Sequence, residues 1–313
     1  AFDWFQKRGL SLKVENDGRV FPITDSSEDV IKCLTGLAKE SGVKVFTDSH
    51  VKQIIKTNNG FDVIAKGRNY FKAKNILICT GGHPSGRRLA KSLGHSIIQP
   101  VPSLFSFTTS EKSLKSCSGI ALEVQIILTV NNKKFTDTGS ILITHKGFSG
   151  PLILRLSAFS ARNLHSNNYK GELRINWLCI GDNEVRTQID LYKLENGKKF
   201  VLKNKPFTNL PKSLWKALLF SVDIDGSLKW ADLTKHAKES LVECLTKKSY
   251  PIISRGPFGD EFVTAGGVSL KEINFKTMES KICKGLFFAG EVLDIDGITG
   301  GFNFQHCWTS GWV

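Results

Sequence analysis

The apolar positions of the first 100 residues change period twice. In residues 26–41 a serine pair able to cap a helix precedes Ile31, Leu34, Leu37 and Ala38, which share one helical face. Gly42 then supplies a left-handed stop. From there the period shortens. VKVF (43–46), VKQIIK (51–56) and FDVIAK (61–66) cluster or alternate β-branched residues and predict strands, with Asn58-Asn59-Gly60 turning the chain between the last two. FKAKNILICT (71–80) ends in a continuous apolar run, the pattern of a parallel strand buried on both faces, and runs into Gly81-Gly82. A short helix over 85–93 closes on Gly94. Upstream, NDGRVFPIT (16–24) reads as a turn followed by a proline-stopped strand.

Beyond residue 103 the pattern changes again. Strand-like pieces at 120–130 and 139–144 lead to a helix that Ser149 or Gly150 caps, with Pro151 at its first position. Residues 166–260 are more polar and lysine-rich, with amphipathic stretches near 212–220 and 231–245. At 262 FVTAGGVSLKEI returns to strand and turn, and KGLFFAGE leads to a last helix beginning at Gly300-Gly301. The expected organisation is α/β: a discontinuous domain of residues 1–102 and 259–313, interrupted by an inserted domain of residues 103–258.

Composition changes this picture little, apart from the charge. The chain has 313 residues, 41% hydrophobic, ordinary for a globular protein with a substantial core. No apolar run is long enough to span a bilayer, so no membrane partner is expected. The net charge of +14 is spread over scattered lysines without an arginine-rich block or an interleaved aromatic platform. A solvated exterior is favoured over a nucleic-acid partner on that distribution. Seven cysteines stand singly, with no CxxC, which points to reduced and mostly buried thiols in an intracellular, reducing compartment. No His or Cys pair has ligand spacing, so no metal is expected. The chain opens on Ala1 without a methionine and stops at SGWV within a helical pattern, so a fragment of a longer unit is expected.

The chemistry concentrates where two apolar strands end in small residues, ILICTGG and LFFAGE. Ligands of open α/β sheets bind beyond the carboxyl ends of strands. Glu291, just past the second strand, can accept hydrogen bonds from sugar hydroxyls, and the helix starting at Gly300-Gly301 offers unpaired N–H donors. Spacing alone leaves two readings open: a nucleotide cofactor, or a turn in which Asp294-Ile295-Asp296-Gly297 is an Asx-rich loop. An EF-hand is excluded, because its ligand pattern is absent. Gly147-Phe148-Ser149-Gly150 is not G-x-S-x-G, which excludes a hydrolase elbow.

GLFFAGEVLDIDGITGGFNFQHCWTSGW, with DEFVTAGGVSLKEINFKTMESKICKG before it, resembles the C-terminal signature of the aminoacetone-oxidase-like, BaiN-type NAD(P)/FAD-dependent oxidoreductases. That family includes bacterial bile-acid-type reductases. GRVFPITDSSEDV (18–30), ILICTGG (76–82), GHSIIQPVPSL (94–104) and THKGFSGPLILRLS (144–157) extend the likeness, which weakens between about 166 and 255. The resemblance implies a glutathione-reductase-like FAD-binding domain with an inserted mainly-β and helical domain that carries the substrate or a lid. It implies an FAD-dependent oxidoreductase acting on a small molecule, with NAD(P)H a candidate electron donor. Gly290 and Glu291 match the motif that holds flavin ribityl or ribose hydroxyls, with Asp294 beside them. Gly300, Gly301, Phe302 and Asn303 match the helix start facing the isoalloxazine ring. Thr80, Gly81 and Gly82 match the strand end beside the cofactor, and Arg19 and Phe21 a loop approaching the flavin.

Three departures qualify the likeness. The family's first βαβ unit with GxGxxG is missing, so weak FAD retention is expected of these residues. HPSGRRLA (83–90) is shorter than in many bacterial members and is similar to cyanobacterial and plant members, which points to a plastid. His306 and Cys307 replace an aromatic and a small residue; His306 is read as packing rather than as a proton donor. His145 and His83 are read as loop residues, and no catalytic acid or base is assigned. The alternative is a non-enzymatic, flavoprotein-derived basic module docking on nucleic acid or an organellar assembly. Neither substrate nor oligomeric state has a signature in the sequence.

Overall fold

The structure, a computed structural model, describes residues 1–16, 18–68, 70–256 and 263–313. The expected boundary at 258/259, Asp17 of the NDG turn and residues 260–262 of DEFVTAGG lie outside the described residues. The chain forms two compact units, one of Ala1–Pro100 with Gly266–Val313 and one of Val101–Ala265.

The first unit opens with α1 (Phe2–Gln6) and a two-stranded ribbon of β1 (Leu12–Val14) and β2 (Val20–Pro22). Next comes α2 (Ser27–Glu40), whose cap Ser26 accepts from the Glu28 amide. Gly42 follows at φ +73°. The predicted apolar face of α2 is there in sequence but not buried: none of its residues is fully enclosed, and Ile31 is 56% exposed. β3 (Val51–Thr57), β4 (Gly60–Ala65) and β5 (Tyr70–Ala73) make an antiparallel three-stranded sheet. VKVF is not a strand. Val43, Val45 and Phe46 stay exposed, because β-branched residues hold a strand only where a neighbour supplies the ladder.

The apolar run before Gly81 is broken at Lys74-Asn75, leaving β6 (Ile76–Ile78), followed by α3 (Pro84–Ser92). Among the described residues β6 is an edge strand, hydrogen-bonded on one side only, and Leu77 is 53% exposed. Burial on both faces, expected from its composition, is therefore not what the structure shows: one face packs on the core and the other is uncovered.

The second unit holds β7 (Val101–Ser103), β8 (Phe107–Thr109), β9 (Ala121–Val130), β10 (Lys133–Ile143), β11 (Gly147–Ser149), α4 (Pro151–Ser166) and β12 (Gly171–Asn176). It continues through α5 (Asp182–Asn196), α6 (Lys212–Phe220), α7 (Lys235–Lys247), β13 (Lys248–Arg255) and β14 (Val263–Ala265). Strands close into a barrel in the order β10-β11-β8-β13-β12-β9. Period-two alternation makes this possible. Val124, Ile126, Leu128 and Val130 of β9 are buried, while Glu123 and Gln125 between them point out. Trp177, Trp215, Trp230 and Tyr250 complete a core belonging wholly to this unit.

The first unit resumes with β15 (Ile273–Asn274), β16 (Glu279–Ser280), β17 (Leu286–Phe288) and α8 (Gly300–Trp312). β17 runs parallel to β6, pairing Leu286 with Ile76 and Phe288 with Ile78. Its core gathers Ile54, Phe61, Ile78, Leu89, Leu286, Phe288 and Val292. Two segments distant in sequence thus share one sheet, and their ends fall side by side.

Candidate functional site

Because β6 and β17 are parallel and in register, the residues leaving the two strands emerge at the same edge. After β6 come Thr80, Gly81 and Gly82; after β17 come Gly290 and Glu291. Gly81 sits at φ +59° and Gly290 at φ +72°, conformations that favour glycine. A Cβ added to Gly81 would lie 3.7 Å from Glu291 Oε2. The carboxylate therefore faces bare backbone across the two strand ends.

Arg87, on the first turns of α3, enters the same cluster. Its Nη1 donates to the Gly82 carbonyl at 2.7 Å, and burial lowers its pKa while the nearby Glu291 charge opposes that shift. Guanidinium and carboxylate are close enough for each charge to act on the other. Gly86 is buried because Thr80 packs onto it; a Cβ there would overlap Thr80 Oγ1. His83 caps α3, its Nδ1 accepting from the Ser85 amide at 3.2 Å, the loop role expected for it.

α8 backs this cluster with its second half. Gly290 N–H donates to Ser310 Oγ at 2.8 Å, and His306 Nε2 donates to the Gly290 carbonyl at 3.2 Å. Cys307 Sγ lies 3.2 Å from where a Gly290 Cβ would stand, and burial raises its pKa. His306 and Cys307 therefore hold the Gly290 turn from behind.

The start of α8 is a separate feature. From Cys307 back to Gly300 the helix rises on the order of 10 Å along its axis. Thr299 caps it, accepting from the Phe302 amide. Asn303 has its side-chain amide committed to the preceding loop: Nδ2 donates to the Gly297 and Thr299 carbonyls at 3.1 and 2.9 Å, and Oδ1 accepts from Gly297 N–H at 2.9 Å. Gly300 and Gly301 have open space where a Cβ would stand, within 3.8 Å only of Thr299 Oγ1, and Phe302 is 61% exposed. Asp294 is half-buried, its N–H donating to the Val268 carbonyl. Arg19 and Phe21 lie on the β1–β2 ribbon, the guanidinium 5.4 Å from the ring centre.

The sequence-predicted residues thus fall into three places: the strand-end cluster with Gly81, Gly82 and Glu291, the tip of α8, and the β1–β2 ribbon. Arg87 was missed. Only the adjacent pair Arg87-Arg88 hinted at it, and nothing local says that the first turns inward while the second stays exposed near His50. The donor set suits a polyhydroxylated, anionic cofactor: a carboxylate for hydroxyls, bare glycine backbone for close approach, and a cation with donors to spare. Among the described residues no group of three or more His, Cys, Asp or Glu could hold a metal, and no helix is long and apolar enough to cross a membrane.

A carboxylate and glycine turns at the ends of neighbouring parallel strands are the parts from which Rossmann-type folds build their ligand sites. The chain belongs to the family of the HI0933-like protein Rossmann domain, which matches residues 1–313. Among its curated relatives is 3-dehydro-bile acid delta(4,6)-reductase of Clostridium scindens, 26% identical over 329 residues, covering 100% of this chain and 78% of that protein. Ribosomal RNA dihydrouridine synthase of Haemophilus influenzae is 28% identical, covering 98% of this chain and 76% of the relative. The protein of the same name from Escherichia coli is 28% identical, covering 99% and 76%. The family agrees with the resemblance carried by the FAGE and GITGGFN motifs.

Proposed function

We propose that the chain is a flavin-dependent oxidoreductase whose strand-end cluster holds the hydroxyl-bearing part of FAD. The observation that carries this reading is the Glu291 carboxylate facing Gly81 across two parallel strand ends. In this reading the first unit is glutathione-reductase-like. Glu291 accepts from ribityl or ribose hydroxyls, and Thr80, Gly81 and Gly82 let backbone approach the cofactor. Arg87 offsets its negative charge. A dinucleotide is longer than the separation between this cluster and the tip of α8, so Gly300 and Gly301 reach another part of it. There the unpaired N–H groups of the helix start stabilise negative charge. When bound, reduced FAD supplies a hydride and is itself reoxidised, while the protein seats, orients and shields it.

The relatives' names suggest the substrate class. A delta(4,6) bond system conjugated with a 3-oxo group and the 5,6 bond of uracil are both carbon–carbon double bonds polarised by a carbonyl. Reduction of such a bond adds one hydride and one proton, the proton here coming from water. FAD titration with fluorescence quenching tests the seat: Glu291→Ala is expected to weaken binding at least about tenfold, the loss of charge-assisted hydrogen bonds. Assays with an enone steroid and with uridine-containing RNA, each with NADH, NADPH or dithionite as donor, test the chemistry. A chain that does not quench with FAD, or a Glu291→Ala variant that binds FAD unchanged, overturns the reading.

A further inference from the structure

The six lysines between residues 196 and 222 stand without a single acidic residue among them. On α7 of the same unit, Lys238 is answered by Asp190 and Lys247 by Asp182. In this segment Lys205 is spent on the Phe207 and Thr208 carbonyls. The other five, Lys198, Lys199, Lys203, Lys212 and Lys216, are exposed and make no ion pair among the described residues.

Their backbone is firmly held. The loop after α5 is tied to α6 by Trp215 Nε1 donating to the Val201 carbonyl at 3.0 Å, and to Trp230, whose Nε1 donates to the Asn204 carbonyl at 2.8 Å. The two indoles stack 6.5 Å apart beneath it. On α6 the buried side carries Leu214, Trp215, Leu218 and Leu219, which leaves Lys212, Lys216 and Phe220 in line at i, i+4 and i+8 on the other. Two exposed rings accompany the cations: Phe200 is 38% and Phe220 49% exposed, with Lys216 Nζ 5.5 Å from the Phe220 ring centre.

We infer that this face of α6 and the loop before it bind the sugar-phosphate backbone of RNA. The inference deepens the reductase reading by naming a uridine-containing RNA as the substrate that carries the conjugated double bond. Uncompensated lysines on a rigid frame match a polyanion, since each phosphate neutralised releases counterions. Exposed phenylalanine rings add sequence-tolerant stacking on unpaired bases. A soluble steroid carboxylate would use neither the number of charges nor their spread.

The test uses the whole chain and a fluorescein-labelled RNA hairpin with a uridine-rich loop, with anisotropy followed across a salt series. One variant replaces the five exposed lysines with glutamine. A control replaces five exposed lysines of the first unit, Lys39, Lys72, Lys74, Lys91 and Lys276, so that the net charge is equal. The patch variant is expected to bind RNA at least about tenfold more weakly, its log–log salt slope reduced by about three or more, at roughly 0.7–0.9 for each phosphate no longer neutralised. The control should retain most of both. Equal losses in the two variants, or none in the first, overturn the inference. So does binding to vesicles of phosphatidylserine and phosphatidylcholine without binding to RNA, which would assign the face to an anionic membrane. FAD quenching by the patch variant should match the unmodified chain, so failure of RNA binding and failure of the flavin reading register in different measurements. Circular dichroism melts confirm that each variant is folded.

Discussion

His95 shows how a single side chain ties distant segments of the first unit together. It is buried, with its ring edge against Phe288 at 4.8 Å between centres. Nδ1 donates to Glu272 Oε2 at 3.0 Å, and Nε2 accepts from Ser280 Oγ, also at 3.0 Å. Ser280 in turn accepts from the Ile282 and Cys283 amides. Burial lowers the His95 pKa below its ordinary 6.5, outweighing the opposing pull of Glu272. Burial also pushes Glu272 up, but hydrogen bonds from Ser96 and His95 outweigh it and leave that carboxyl below its ordinary 4.5. Both shifts have the same consequence. Below 6.5 the unfolded chain protonates His95 while the folded chain resists, so stability falls as the pH drops from there toward the folded value. The Glu272 contribution, present above 4.5, is lost further down as the pH falls through its folded pKa. Urea midpoints measured from neutral pH into acid should therefore fall in two stages. In His95→Gln the upper stage should disappear; an unchanged profile in that variant would clear His95 of the effect.

At the scale of elements, what matters is where backbone meets backbone. Gly267, in the turn after β14, has no room for a side chain: an added Cβ would stand 2.5 Å from the Val292 carbonyl oxygen and 2.6 Å from the Leu293 carbonyl carbon. Those residues directly follow Glu291, so the contact fixes the far side of the strand-end cluster. Gly267→Ala is expected to cost about 1–3 kcal/mol, the usual range for overpacking, read as a lower urea midpoint, and to weaken FAD binding through the displaced Glu291. An unshifted midpoint would show that the Val292 segment yields freely. The glycines of TAGG were legible in sequence as a turn, but the atoms that exclude a Cβ come from a segment some twenty-five residues away, which no local pattern marks. The same division holds elsewhere. α6 was read at its full length, because an amphipathic face and the proline before it, Pro211, are local. The start of α4 at Pro151 was legible for the same reason. VKVF failed because a strand needs a partner, and the ILI run failed because composition does not reveal which face is covered. Glu291 and Gly81 were both readable as strand ends; that they face each other follows from the β6–β17 register, which only the fold supplies.

Over the whole molecule the chain leaves one unit and returns to it, and the points of departure and return are neighbours. Val101 and Ala265, the first and last residues of the second unit, pair directly in the β7–β14 ladder. Excising Val101–Ala265 would therefore leave a piece whose ends are already joined by hydrogen bonds, whose barrel is closed, and whose main core draws on no residue of the first unit. Its length is that of an ordinary independent domain. The first unit is built differently. β6 comes from the segment before the excursion and β17 from the segment after it, and the core around Ile78 and Phe288 needs both. Expressed alone, Val101–Ala265 should melt in a single cooperative transition with dispersed amide resonances. Residues 1–100 alone should show neither, because β6 would lose β17, its parallel neighbour. A second unit that binds hydrophobic dye and melts without a transition would mean that its stability is borrowed from the rest of the chain. A cooperative melt of residues 1–100 would mean that the strand-end cluster is not what holds the first unit's two segments together.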